Sequence, residues 1–262
     1  MLDLSVYLLT GAVAGLFAGL LGVGGGLIIV PALIWVFHGI GVHETVVAHL
    51  AIGTSLATII VTSISSIRAH NRRGAVLWDS VLRLAPGIVV GAWLGAAIAD
   101  WLPTLWLQRV FACFVILVGL QMLLGAHAEA RRAQPGPVGM FAAGTVIGTL
   151  SSIVGIGGGS LTVPFLSWCS VDMRRAVATS AACGLPIALA GTLGFVVAGW
   201  GIEVLPSGSS GYVYWPAFAA IAVASYLSAP AGAKLAHTLP LPTLKRVFAM
   251  LLLVVGTKML LG

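Results

Sequence analysis

The sequence predicts an all-α polytopic membrane protein made of two inverted repeats. Each repeat is a glycine-broken re-entrant helical hairpin followed by three transmembrane helices. Three observations lead there. Of 262 residues, 59% are hydrophobic and only 8% charged, with a mean hydropathy of +1.09, whereas a soluble chain carries about 25% charged residues. The apolar residues form blocks long enough to cross a hydrocarbon core roughly 30 Å thick. The same pattern of blocks occurs twice.

The blocks run over 4–37, 45–67, 75–99, 104–125, 137–169, 176–200, 212–236 and 241–261, separated by short polar or turn-rich stretches. Residues 74–125 align without a gap on 211–262 at an offset of 137, with 21 of 52 positions identical. Both copies carry G-x-V-x-W (Gly74 to Trp78, Gly211 to Trp215) and R-V-F-A (Arg109 to Ala112, Arg246 to Ala249), and both end in M-L-L-G. The first blocks match at an offset of 133, where Gly22 to Gly26 (G-V-G-G-G) faces Gly155 to Gly159 (G-I-G-G-G). Each run is followed by V-P, then Leu33 and Trp35 or Leu166 and Trp168. The chain therefore divides into a first repeat at 1–127, a cytoplasmic linker at 128–136 and a second repeat at 137–262.

Each first block is too long for one ordinary span, and its glycine run is too poor a helix former to continue through. A helix, a break and a shorter returning helix account for both facts. Three further spans then give each half an odd number of crossings, so the halves are inverted. The distribution of basic residues agrees. In the inverted arrangement Arg68, Arg72, Arg73, Arg83, Arg131, Arg132, Arg174, Arg175, Lys234, Lys245 and Arg246 fall on or nearest one side, and only Arg109 and Lys258 on the other. A parallel arrangement splits them seven against six. Both termini are then expected on the non-cytoplasmic side of the cell membrane, with Trp78, Trp101, Trp106, Trp200 and Trp215 in the interfacial belts.

The net charge of +6 reflects this loop bias and not a nucleic-acid surface. Met1-Leu-Asp-Leu lacks a basic leader, which argues against a cleaved signal peptide. Cys113, Cys169 and Cys183 form no CxxC pair and read as small buried hydrophobes, with no disulfide, metal or other cofactor implied. Leu27 occupies the place of the third glycine of a dinucleotide fingerprint, and no G-K-[ST] follows, so neither nucleotide motif is present. His38, His43 and Glu44 lack the helical spacing of a metal or catalytic set, and the chain is not read as an enzyme.

Unpaired backbone in hydrocarbon costs several kcal/mol per group, so a break survives only inside protein or beside a water-filled cavity. Gly11, Gly15 and Gly19, and Gly144, Gly148 and Ser152, have the spacing of packing ridges. Gly24, Gly25 and Gly26, with Gly157, Gly158, Gly159 and Ser160, instead leave free N–H groups at a helix start, a ready anion site. The next block adds matched hydroxyls: Ala51-Ile-Gly-Thr54-Ser55 faces Ala176-Val-Ala-Thr179-Ser180. These pairs either bond their own helix or line the same cavity. His49, six residues before Ser55, is either a coupling-proton site or a satisfied core histidine. Asp79 and Arg83 are spaced for a local pair.

On the paired G-x-G-G-G–V-P runs and paired A-[IV]-x-T-S segments, essentially the whole chain resembles the TauE/SafE sulfite exporter family, also called toluenesulfonate uptake permeases. The second copy carries Thr179-Ser180-Ala181 where Thr-Ser-Leu is common, followed by Cys183 and Pro186. The resemblance implies secondary transport of a small anion, sulfite or another sulfur-containing compound, across the cytoplasmic membrane. The partners expected are the anion, the bilayer and a coupling proton or cation. An anion channel and a carrier of a non-sulfur organic anion are the alternatives.

Overall fold

The computed structural model describes residues 2–21, 25–124, 134–235 and 241–261. Ten helices follow in order: α1 (Leu2–Leu21), α2 (Gly26–Gly39), α3 (Val47–Asn71), α4 (Trp78–Trp101), α5 (Thr104–Leu123), α6 (Pro137–Val154), α7 (Gly159–Trp168), α8 (Met173–Ala198), α9 (Trp215–Leu235) and α10 (Leu241–Leu261). A two-residue ribbon, β1 (Ser209–Ser210) with β2 (Val213–Tyr214), precedes α9. Among the described residues α3, α4, α5, α6 and α8 are each long and apolar enough to cross a bilayer. Their outward faces carry large apolar side chains such as Leu82, Leu117, Leu193 and Val197, each more than half exposed. Such a surface is stable against lipid and not against water. The chain is an all-α, multi-pass membrane protein.

The second glycine run interrupts the helix, as expected: α6 ends at Val154 and α7 starts after Gly158. At the first run α2 starts after Gly25, and Gly22, Val23 and Gly24 lie outside the described residues. Gly155 closes α6 in the left-handed region at φ +71°, a conformation that a side chain disfavours. The two breaks abut: a Cβ on Gly26 would lie 2.5 Å from the Gly155 carbonyl oxygen and 2.9 Å from the Ile156 Cα.

Around the breaks, equivalent helices exchange partners between the repeats. Gly11 and Gly15 of α1 press on the backbone of Ile221 and Ser225 of α9. Gly87, Gly91 and Gly95 of α4 press on Phe141, Thr145 and Thr149 of α6. Both seams run in the same chain direction. The packing expectation for Gly11, Gly15, Gly144 and Gly148 is met, and the seam is close enough to exclude any side chain. α3 and α8 run antiparallel at the centre, with Gly53 beside Phe195, Leu56 beside Gly191 and Ser63 beside Gly184. α5 and α10 are antiparallel too, with Gly119 beside Ala249 and Gly256 beside Ala112.

The G-x-V-x-W segments sit in matched places. Thr54 Oγ1 accepts a hydrogen bond from the Tyr214 N–H (3.0 Å), and Thr179 Oγ1 accepts one from the Leu77 N–H (3.0 Å). Each threonine thus caps the extended segment that leads into a span of the other repeat. At the first of these segments the Phe37 ring near the end of α2 packs edge-on against Tyr214, 5.7 Å between centroids.

One expectation needs correction. Cys113 is exposed on α5, while Cys169 and Cys183 are buried; an outward face in lipid is as hospitable to a thiol as a core is. Asp79 and Arg83 are both exposed, and no ion pair joins them.

Two stability predictions follow from the seams and the caps. Gly91→Ala places a Cβ against the Thr145 carbonyl and should cost about 1–3 kcal/mol as overpacking, read as a lower melting temperature in detergent. Gly39→Ala, with nothing within 4 Å of the new atom, should change it little. Thr54→Val and Thr179→Val keep the shape but orphan the Tyr214 and Leu77 N–H groups. Each should lower stability by about 1–3 kcal/mol in the same thermal assay, and by similar amounts.

Candidate functional site

A cavity of about 120 Å³ opens beside the second break, several times the ~10–15 Å³ that one water needs. Gly157, Gly158 and Gly159 form one wall and Ser180, Ala181 and Gly184 of α8 a second. The third is one face of α3, from Ile59 through Thr62, Ser63 and Ser66 to His70 and Arg73. Ala18 and Gly19 of α1 and Ala229 and Pro230 of α9 complete it. Among the described residues no carboxylate lines it.

The chemistry of these walls suits an anion. Among the described residues the N–H groups of Gly157, Gly158, Gly159 and Ser160 donate to no backbone carbonyl, whereas those of Leu161 and Thr162 return to the Gly158 oxygen. Free N–H groups at the start of α7 carry the positive end of its dipole. Ser63 is buried to 7% exposure, lines the cavity, and its hydroxyl has no partner among the described residues. Thr62 Oγ1 donates back to the Ile59 carbonyl (3.2 Å), and Ser180 Oγ to the Val177 carbonyl (2.8 Å); both hydroxyl oxygens keep lone pairs but spend their protons locally. Arg73 brings positive charge, and His70 an imidazole, to the end of the cavity nearest the α3–α4 turn.

The other expected site residues are placed differently. Gly24 lies outside the described residues. Gly25 packs against Ala14 and Ile29, and Gly26 against the second break, so neither lines the cavity. Ser160 is buried behind the wall, and its Oγ, like those of Ser151 and Ser152 and the Oγ1 of Thr162, has no hydrogen-bond partner. Thr54 and Thr179 are spent on the caps described above. Ser55 Oγ donates to the Gly155 carbonyl at 2.9 Å, holding the break instead of facing the cavity.

His49 sits at the opposite end of α3. Its Nε2 lies 2.9 Å from the Ala99 carbonyl and 3.1 Å from the Leu102 carbonyl. Both accept only, so Nε2 carries the proton, and Nδ1 lies 3.3 Å from Thr104 Oγ1. Its ring stacks on Tyr212 at 4.9 Å, and the Tyr212 hydroxyl donates to Asp100 (2.9 Å). Burial and, secondarily, the Asp100 carboxylate push the Tyr212 phenol above its usual range, so it stays a donor. This is a strut binding α3 to the α4–α5 turn and the α8–α9 loop.

The α3 wall was missed by attention to the repeated motifs. Thr58, Thr62, Ser66 and His70 recur every four residues, which puts them on one helical face. That stripe is readable in the sequence but has no counterpart in the second repeat.

The chain matches the family model described as sulfite exporter TauE/SafE over residues 7–259. It is 37% identical to a probable membrane transporter protein of Haemophilus influenzae, with 97% of each chain covered. It is 26% identical to a probable membrane transporter protein of Methanocaldococcus jannaschii, over 88% of this chain and 83% of that one. A further relative, from Bacillus subtilis and also called a probable membrane transporter protein, is 26% identical over 97% and 96% of the two chains. No solved structure matches. The chain belongs to the TauE/SafE sulfite exporter family.

Proposed function

We propose that the protein is a secondary transporter of a small anion, most simply sulfite or an organosulfonate, working by alternating access across the cytoplasmic membrane. The observation that carries this reading is the cavity at the second break. It joins free N–H groups, a neutral hydroxyl and a cationic mouth, with no carboxylate among the described residues to repel an anion. Neutral donors hold a negative solute without trapping it, which turnover requires. The family description names sulfite and supports the choice of sulfur oxyanions.

The inverted arrangement is part of the proposal. Counterpart helices α3 and α8, and α5 and α10, run antiparallel, which a repeat related by an axis along the membrane normal would not produce. By the distribution of basic residues, the cavity mouth at Arg73 then faces the cytoplasm. Beyond the abutting breaks, α3 is buried without interruption from Val46 to Ile59. A cavity that meets buried helix beyond the breaks supports a carrier over a continuous pore. No nucleotide motif is present in the sequence, so the driving energy is assigned to a gradient.

Counterflow in proteoliposomes tests this. Vesicles preloaded with unlabelled sulfite should take up external ³⁵S-sulfite saturably and transiently above equilibrium. Linear, unsaturable flux would indicate a channel. No flux of sulfite, thiosulfate, sulfate, sulfoacetate or small carboxylates would remove the anion reading. Gly158→Val would force methyls onto Thr162, the Ser180 carbonyl and Ile187, all within 3.3 Å of its Cβ position. Flux should fall to that of protein-free vesicles, with the variant still eluting as a folded species in detergent. Gly25→Val is expected to do the same through Ala14 and Ile29. Normal counterflow by both variants would refute the role given to the breaks.

A further inference from the structure

The duplication invites the expectation of two equivalent anion seats, one at each break. We infer that there is one, built only at the second break, where Ser63, Gly184 and the Gly158 N–H form a cradle for one oxygen of a compact oxyanion. This rests on the anion-transport reading and specifies its site.

The geometry of the cradle is set by a missing side chain. A Cβ on Gly184 would lie 3.0 Å from Ser63 Oγ and 3.7 Å from the Gly158 nitrogen, with nothing else within 4 Å. An oxygen seated beyond that point, about 3.3 Å from the Gly184 Cα, lies in the open space that the Ser63 hydroxyl and the Gly158 N–H both border. Both donors are uncommitted among the described residues: the Gly158 N–H meets no backbone carbonyl, and the Ser63 hydroxyl is nine-tenths buried with no partner.

Among the described residues the first break has no such cradle. The matched caps of Thr54 and Thr179 confirm an offset of 125 between α3 and α8, and the glycine runs match at 133. Gly184 then corresponds to Ile59 and Ser63 to Ala188, while Ser160 and Thr162 correspond to Leu27 and Ile29. The counterpart of His70 is Phe195 and that of Arg73 is Ala198. Ile59, Ala188, Leu27, Ile29 and Phe195 are all buried. Each side-chain donor of the second site, and the opening at Gly184, is thus replaced by hydrocarbon in the first; the Gly158 N–H alone keeps a counterpart, in Gly25.

Distance also separates seat from mouth. His70 lies seven residues beyond Ser63, about 10 Å along the helix, farther than a compact oxyanion spans. Arg73, beside His70 at the entrance, therefore attracts the anion there, and the neutral cradle receives it.

Equilibrium binding of ³⁵S-sulfite to the purified full-length protein in detergent, alongside counterflow, tests the inference. Wild type should saturate at one sulfite per chain. Gly184→Ala fills the cradle with a methyl and should weaken binding about tenfold or more. Its melting temperature should not fall, since Ala favours the helix over Gly. Ser63→Ala, which removes only a hydroxyl, should weaken binding by a similar factor. Two sulfites per chain, or wild-type affinity in either variant, overturns the single cradle while leaving the transporter reading standing. Neither binding nor counterflow of any sulfur oxyanion or sulfonate by wild type overturns both.

Discussion

A chain that leaves its helix inside a bilayer must supply partners for the backbone it exposes, and that demand organises the protein. Each unpaired group in hydrocarbon costs several kcal/mol, so the two glycine breaks cannot face lipid. They lean on each other at Gly26 and Gly155, and the Ser55 hydroxyl takes up the Gly155 carbonyl. The N–H groups of Gly157 to Ser160 turn toward a cavity. A polar lining is the one solution that leaves free N–H groups in place, and it is also what a binding site needs.

The glycine seams serve the same end. α1 on α9 and α4 on α6 approach until a Cβ would strike the opposing backbone. Each seam joins a hairpin arm of one repeat to a span of the other, so neither hairpin is held by its own half alone. Close backbone packing of this kind gains dispersion energy where no hydrophobic drive between helices exists. It also ties the breaks to the outer spans through direct backbone contact.

Much of the fold was legible because membrane constraints write themselves in long runs. The blocks, the duplication and both interruptions are visible in hydropathy, in the 137-residue offset and in consecutive glycines. The candidate site was less so. Thr54 and Thr179 recur because both repeats need the same cap on a G-x-V-x-W segment, so symmetry pointed to structure there. Ser63, Ser66, His70 and Gly184 lack counterparts and therefore escaped a search by repetition. His49 looked equivocal because a buried imidazole reads alike in sequence whether it shuttles protons or meets two carbonyls.

Recurrence and function thus separate along a physical line. What both halves must do, crossing, turning back and packing, is preserved in both, since either hairpin fails without its seam and its cap. Binding is not so constrained. A seat at the meeting point of two breaks lies close to the axis relating them, and two anions there would repel across a few ångströms of low-dielectric protein. On the single-seat reading proposed above, filling the mirrored seat with Ile59, Leu27 and Ile29 removes that repulsion. An asymmetry of side chains on a duplicated backbone then gives one seat where repetition alone would give two.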